Sequence, residues 1–128
     1  MILRIDLKSS IAVYRQIVDG LRILLVNGDL KPGDQLPPVR RLSLELGVHF
    51  NTVAEAYRTL AGEGWLDIAR RSGARVRARS MPHRTDPDAV YTFQRRLREL
   101  VADVQARGFA RGRIANELRR LADSLERS

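Results

Sequence analysis

Apolar residues recur at helical spacing along most of the chain and alternate only briefly. Val13, Ile17, Leu21 and Leu24 share one face of a helix that Ser9 or Ser10 can cap and that runs to about Asn27. Gly28 supplies its left-handed stop. Before it, Arg4 to Leu7 reads as a short strand or an extended arm. The segment Gly28 to Pro38 contains Pro32-Gly33-Asp34 and Pro37-Pro38, cannot continue a helix, and is predicted to be a structured loop. Pro38 suits the first position of a second helix through Leu46, with Val39, Leu42 and Leu46 turned inward and Gly47 ending it. A third helix is predicted from about Asn51 to Glu63, with Val53, Ala56, Tyr57 and Leu60 as its buried stripe. Trp65 to Ile68 then reads as a strand, Ser72-Gly73 as a turn and Ala74 to Arg79 as the return strand.

The pattern breaks from Ser80 to Pro87, which divides the chain into residues 1–80 and 81–128, with a hinge over Met81 to Asp86. Asp86 can cap, and Pro87 begin, a long helix through Ala106 that carries Val90, Phe93, Leu97, Leu100, Val101 and Val104 at 3–4 spacing. Gly108 interrupts it, and a last helix from about Arg113 carries Ile114, Leu118, Leu121 and Leu125. Two apolar stripes imply a helical hairpin that has too little body to close its own core. A second copy would bury the free stripe, so these ten residues are the expected dimerisation surface of a homodimer, suited to a palindromic site. The expected fold class is mainly α with a small β-wing: a winged helix-turn-helix followed by a two-helix hairpin.

Composition narrows the chemistry. The 128 residues carry a net charge of +8, which favours a polyanionic partner, nucleic acid or an anionic membrane surface. The chain has no cysteine and only His49 and His83, so neither a thiolate nor a histidine-rich metal site is available, and no cofactor is expected. The longest apolar run, Ile23 to Val26, is far below the ~20 residues that span a bilayer. The N-terminus lacks a signal-peptide core, so the expected setting is cytoplasmic, with no membrane partner. Asp6, Asp19, Glu45 and Glu55 show no paired spacing for acid–base work, and no phosphate-binding loop exists, so an enzyme is not expected.

The second and third helices, the tight turn between them and the arginine-bearing hairpin suit a reader that places one helix in a DNA major groove. A recognition helix meets the groove with its N-terminal end, where free backbone N–H groups favour phosphate. Asn51 there can pair with adenine or merely cap the helix; Thr52 can take a phosphate or a thymine methyl. His49 is a contact or simply exposed, and Phe50 packs on a thymine methyl or staples the helix start. Arg58 reaches a phosphate or pairs with Glu55 or Glu63. In the wing, Arg70, Arg71, Arg75, Arg77 and Arg79 come without an acid between them, and alternation puts Arg75, Arg77 and Arg79 on one side. They guard a solvated edge or, the stronger reading, touch phosphate or the minor groove, with Gly73 letting the backbone turn close to it. Trp65 is expected to fill the core beneath.

These residues together resemble a known family. Val13-Tyr14-Arg15-Gln16-Ile17, Gly28 through Pro37, Arg40 with Leu42, Leu46-Gly47-Val48, Asn51-Thr52-Val53, Ala56-Tyr57, Leu60, Glu63-Gly64 and Gly73 match, in order, the DNA-binding domain of GntR-family bacterial transcriptional regulators. The short tail is similar to that of the YtrA-like subfamily. The resemblance implies a sequence-specific regulator, with repression as its sign, a double-stranded operator as partner, and Arg40 as a phosphate ligand; Arg41, which opens the same backbone-crossing helix, is a second DNA contact or only solvated. Two departures stand out. The wing reads Arg71-Ser72-Gly73-Ala74-Arg75-Val76 where two glycines and Thr-Phe-Val are usual, and Phe50 and Ala54 replace frequent arginines, so base preference does not transfer. The rival readings are a non-specific architectural DNA binder, which charge alone would drive, and a protein-interaction winged helix. One hairpin has no room for a ligand pocket of ~300 Å³ or more; a dimer interface could make one, and a small-molecule effector stays unassigned.

Overall fold

The computed structural model describes residues 3–69, 73–78 and 87–127. Its elements are α1 (Val13–Asn27), α2 (Val39–Leu46), α3 (Phe50–Gly62), β1 (Leu66–Ala69), β2 (Gly73–Val76), α4 (Pro87–Ala106) and α5 (Arg111–Glu126). The chain is mainly helical with one two-stranded sheet, as the periodicity predicts. Its internal contacts form two compact units, residues 1–81 and 82–128.

In the first unit α3 is the hub, packing against α1, α2 and β1. Its predicted stripe of Val53, Ala56, Tyr57 and Leu60 is fully buried, and α1 meets it with Ile17, Val18, Leu21 and Leu25. Val13 and Leu24 flank that stripe rather than centre it. Leu42 of α2, Leu36, Trp65, Leu66, Ala74 and Val76 complete one core. Around it, the Tyr14 and Thr59 hydroxyls meet at 2.6 Å, and Arg22 on α1 grips the Glu63 carboxylate that ends α3, Nη2 lying 2.7 Å from Oε2. That carboxylate holds the Arg22 guanidinium charged beyond its ordinary range, chiefly through the hydrogen bond.

The hairpin is antiparallel, Leu66 facing Val76 and Ala69 facing Gly73. A third segment joins its other edge. Gly33 N–H donates to Val76 O, Val76 N–H to Asp34 O and Leu36 N–H to Ala74 O, at 2.8–2.9 Å. The loop before α2 is thus strapped to the wing and ends on the buried Leu36.

Several element ends differ from expectation. Neither Ser9 nor Ser10 caps α1: Ala12 holds that position without a side-chain bond, and Ser9 Oγ accepts from Ile11 N–H instead. Gln16 closes the arm, its amide accepting from Asp6 N–H and donating to the Asp6 and Ile11 carbonyls, so Arg4 to Leu7 forms no strand. Pro38 precedes α2 rather than opening it, because its ψ of 149° is extended while its carbonyl accepts the first helical bond from Leu42. Helix α3 begins and ends one residue early, at Phe50 and Gly62. Trp65 donates its N–H to Leu60 O, so β1 starts at Leu66, and β2 stops at Val76. Helix α5 starts at Arg111. The expected Asp86 cap and Met81–Asp86 hinge lie outside the described residues.

The second unit has a different character. Helix α4 buries none of its residues and α5 only Ile114. Gly108, at φ 99°, turns the chain between them, and the Arg113 guanidinium lies 4.8 Å over the Phe109 ring. Leu97, Leu100, Val101, Val104, Phe109 and Ile114 help line an apolar cleft of about 200 Å³. Phe93, Leu100, Leu121 and Leu125 are more than half exposed, Val90, Leu97 and Leu118 between 36% and 41%, and Val101 and Val104 half-buried.

Candidate nucleic-acid interface

The Gly47 turn (φ 69°) ends α2, and the chain re-enters helix almost at once, with Phe50 and Asn51 at its start exposed. His49 is extended, and its Nδ1 accepts the Asn51 backbone N–H at 3.1 Å, which makes His49 the cap of α3. The alternative reading of Asn51 as the cap is therefore overturned: Asn51 lies inside the helix, exposed, and its amide side chain makes no hydrogen bond among the described residues. Thr52 is half-buried beside it. Phe50 is 54% exposed and stacks on the His49 ring, centroids 5.3 Å apart, instead of stapling into the core. The helix start so presents three side chains, His49, Phe50 and Asn51, to solvent.

A cleft of about 300 Å³ separates this helix from the wing, lined by Pro38, Val39, Ala54, Tyr57, Arg58, Ile68, Ala69 and Gly73. It brings together the front of α2, one side of α3 and both strands. Ala54 keeps it open, since a longer side chain there would fill it. Beneath it the Tyr57 hydroxyl donates to Pro37 O at 2.7 Å, tying α3 to the entry of α2. Burial, aided by the Glu45 carboxylate, pushes the Tyr57 phenol well above its ordinary range. Gly73 turns with φ 81°, and a Cβ there would meet Leu36 O and Pro38 Cα at 3.5 Å, so the hairpin backbone approaches the α2 entry closely.

The candidate cations divide by partner. Arg40 and Arg58 are exposed and face no acid among the described residues; Glu63, one expected partner of Arg58, is held by Arg22 instead. Arg41 pairs with Glu45 (3.1 Å), consistent with a solvated side chain. Arg75 is exposed on β2, and Gln35 bridges to it across the strapped edge. Arg77 is exposed just past β2, and Asp67 on the opposite strand approaches its Nε at 3.5 Å, an acid that counting along residues 70–79 misses. Arg71, with Arg70 and Arg79, lies outside the described residues. Neither His49 as cap nor the Tyr57–Pro37 tie is signalled by the residue pattern, because caps shift by a single residue and the tie spans twenty.

Among the described residues no helix is long and apolar enough to cross a membrane, and no His, Cys, Asp and Glu cluster could hold a metal. Residues 13–76, half of the chain, match the sequence profile of "Bacterial regulatory proteins, gntR family". The HTH-type transcriptional repressor YtrA of Bacillus subtilis is 38% identical over 74 residues, 58% of this chain and 57% of that protein. The HTH-type pyridoxine biosynthesis transcriptional regulator PdxR of Corynebacterium glutamicum is 48% identical over 65 residues, 51% of this chain but 14% of that protein. The chain thus spans well under two thirds of either curated relative. Among solved structures, YtrA from Sulfolobus acidocaldarius, described as a GntR-family transcription factor, superposes with a TM-score of 0.56 at 31% identity, over 97% of this chain and 99% of that one.

Proposed function

The chain belongs to the GntR family of bacterial regulatory proteins, and on that premise we propose that it is a sequence-specific DNA-binding repressor that holds a palindromic operator as a homodimer. The observation that supports the reading is the α3 start: exposed side chains of His49, Phe50 and Asn51 at a helix N-terminus, in a unit that also exposes the acid-free Arg40 and Arg58 and the wing arginines Arg75 and Arg77. Phosphate contacts from those arginines would fix register, while His49, Phe50, Asn51 and Thr52 would meet base edges. The two units support a division into residues 1–80 for DNA and 81–128 for pairing: the first closes a core, and the second leaves seven of its ten apolar stripe positions exposed, with Val101 and Val104 half-buried and Ile114 buried. Pairing through them would set two α3 helices against half-sites one helical turn, about 10 bp, or a multiple apart. The repressor sign rests on the names of relatives such as YtrA of Bacillus subtilis.

The test is binding-site selection on the purified chain, followed by titration of the selected duplex and a scrambled one at equal salt. A clear preference supports the reading; equal affinity would leave a non-specific charge-driven binder. Asn51→Ala should reduce the preference by roughly 1–3 kcal/mol if its amide pairs with adenine.

A further inference from the structure

Ser, Thr, Asp and Asn are the side chains that usually open a helix. Helix α3 opens on a histidine, whose Nδ1 accepts the Asn51 N–H at 3.1 Å. A ring nitrogen that accepts must keep its lone pair, so the neutral imidazole carries its proton on Nε2. Rotating or flipping the ring would forfeit the Asn51 bond, and the Phe50 ring stacks against it at an interplanar angle of 25°. Nε2 has no hydrogen-bond partner among the described residues, and the side chain is exposed.

We propose that His49, locked by its cap bond in the Nε2–H tautomer, is a specificity-determining residue that donates one hydrogen bond to an acceptor on DNA. This rests on the DNA-binding reading above and sharpens it. A group that only donates is a filter. Purine N7, guanine O6, thymine O4 and phosphate oxygens accept its proton, whereas the amino groups of adenine N6 and cytosine N4 offer no lone pair. Asn51, one residue inside the helix end from Phe50, carries both donor and acceptor and has no such restriction. The cap therefore does two things with one ring: Nδ1 satisfies a helix N–H, and Nε2 turns outward with fixed polarity.

Two measurements on the full chain test it. Side-chain 15N NMR of the neutral ring should show a bare Nδ1 and a protonated Nε2; the opposite tautomer overturns the proposal. The selected duplex is then rebuilt with 7-deazapurine at each purine, a 6-deoxo analogue at each guanine, a 4-deoxo analogue at each thymine or methylphosphonate at each phosphate, and titrated with the wild type and with His49→Asn. Asparagine keeps a capping oxygen but is too short to replace the reach of the ring, and His49→Ser repeats the readout with a second capping residue. At one position the modification should weaken the wild type by about two- to tenfold and leave both variants unchanged. Sensitivity to a base modification identifies the acceptor that His49 reads, whereas sensitivity only to a methylphosphonate shows a backbone contact and overturns the specificity role. Equal losses in wild type and variants at every position overturn the His49 assignment alone. Failure of the wild type to select any duplex overturns the DNA-binding reading, and this one with it.

Discussion

The two units put similar helical lengths to opposite ends. Residues 13–76 bury side chains from α1, α2, α3 and both strands in one continuous core, with Ile17, Leu21, Val53, Ala56 and Leu60 wholly inaccessible. Helices α4 and α5 are longer than α2 and α3, yet among the described residues they bury only Ile114, while Phe93, Leu100, Leu121 and Leu125 stay open. Apolar periodicity is equally regular in both. Periodicity thus predicts a helix and its apolar face, and leaves open whether that face is covered from within the chain. A hub helix with neighbours on three sides makes a self-sufficient head; two helices around one shallow cleft do not.

The sharpest way to break this comparison is to remove matching leucines. Leu60→Ala opens a cavity at the centre of the head and should cost about 2–5 kcal/mol in urea denaturation of the full chain. A loss below about 1 kcal/mol would mean that the core is not closed as described. Tyr57→Phe is the next step down. It strips the Pro37 carbonyl of its 2.7 Å donor and should cost roughly 1–3 kcal/mol. It also carries a pH signature. Folding keeps this phenol protonated where an unfolded tyrosine ionises, so its contribution is complete below about pH 10 and is lost as pH rises beyond that. Alkaline denaturation curves of wild type and Tyr57→Phe should converge; parallel curves would show that burial of the phenol is not what destabilises the head in base.

How much of the head was legible depends on the range of each interaction. The buried stripe of α3 and the inward Leu42 follow from spacing within a helix, which the chain states residue by residue. The Gly28 and Gly47 stops follow from the left-handed conformation that glycine adopts freely. The Arg22–Glu63 grip and the strapping of residues 33–36 to β2 join positions about forty apart, and no local pattern encodes them. The Ser9 cap failed for a subtler reason: Gln16 offered the arm three hydrogen bonds, and a capping serine competes poorly with that. In the candidate interface, charge and position pick out Arg58 and Arg75 and the family resemblance points to Arg40, but which arginines face an acid across the sheet, as Arg77 faces Asp67, needs the register of the hairpin.

Two sets of exposed arginines divide along the same line. Arg75 and Arg77 belong to the head, Arg96 and Arg98 to α4, and all four are solvent-exposed. If only the head meets DNA, replacing Arg75 and Arg77 with glutamine should flatten the plot of log affinity against log salt by about 0.9 for each phosphate no longer neutralised, for specific and random duplexes alike. The same exchange at Arg96 and Arg98 should leave the slope unchanged. Equal flattening by both pairs would extend the interface into the tail.

The smallest expected effect on the head is the most telling about the tail. Leu121 and Leu125 are 60% and 70% exposed, so placing aspartate at both disturbs little packing within the chain. Surface exchanges of this kind usually change stability by no more than about 0.5 kcal/mol, and the unfolding free energy of the head should stay within that margin. Sedimentation should nevertheless change from dimer to monomer, because two carboxylates in a paired apolar stripe would have to be desolvated without partners. Affinity for a palindromic duplex should then fall towards that of a single half-site, as one head can no longer recruit the other. A double variant that remains dimeric would move the pairing surface off the α5 stripe, and one that unfolds the head would show that the two units do not stand apart.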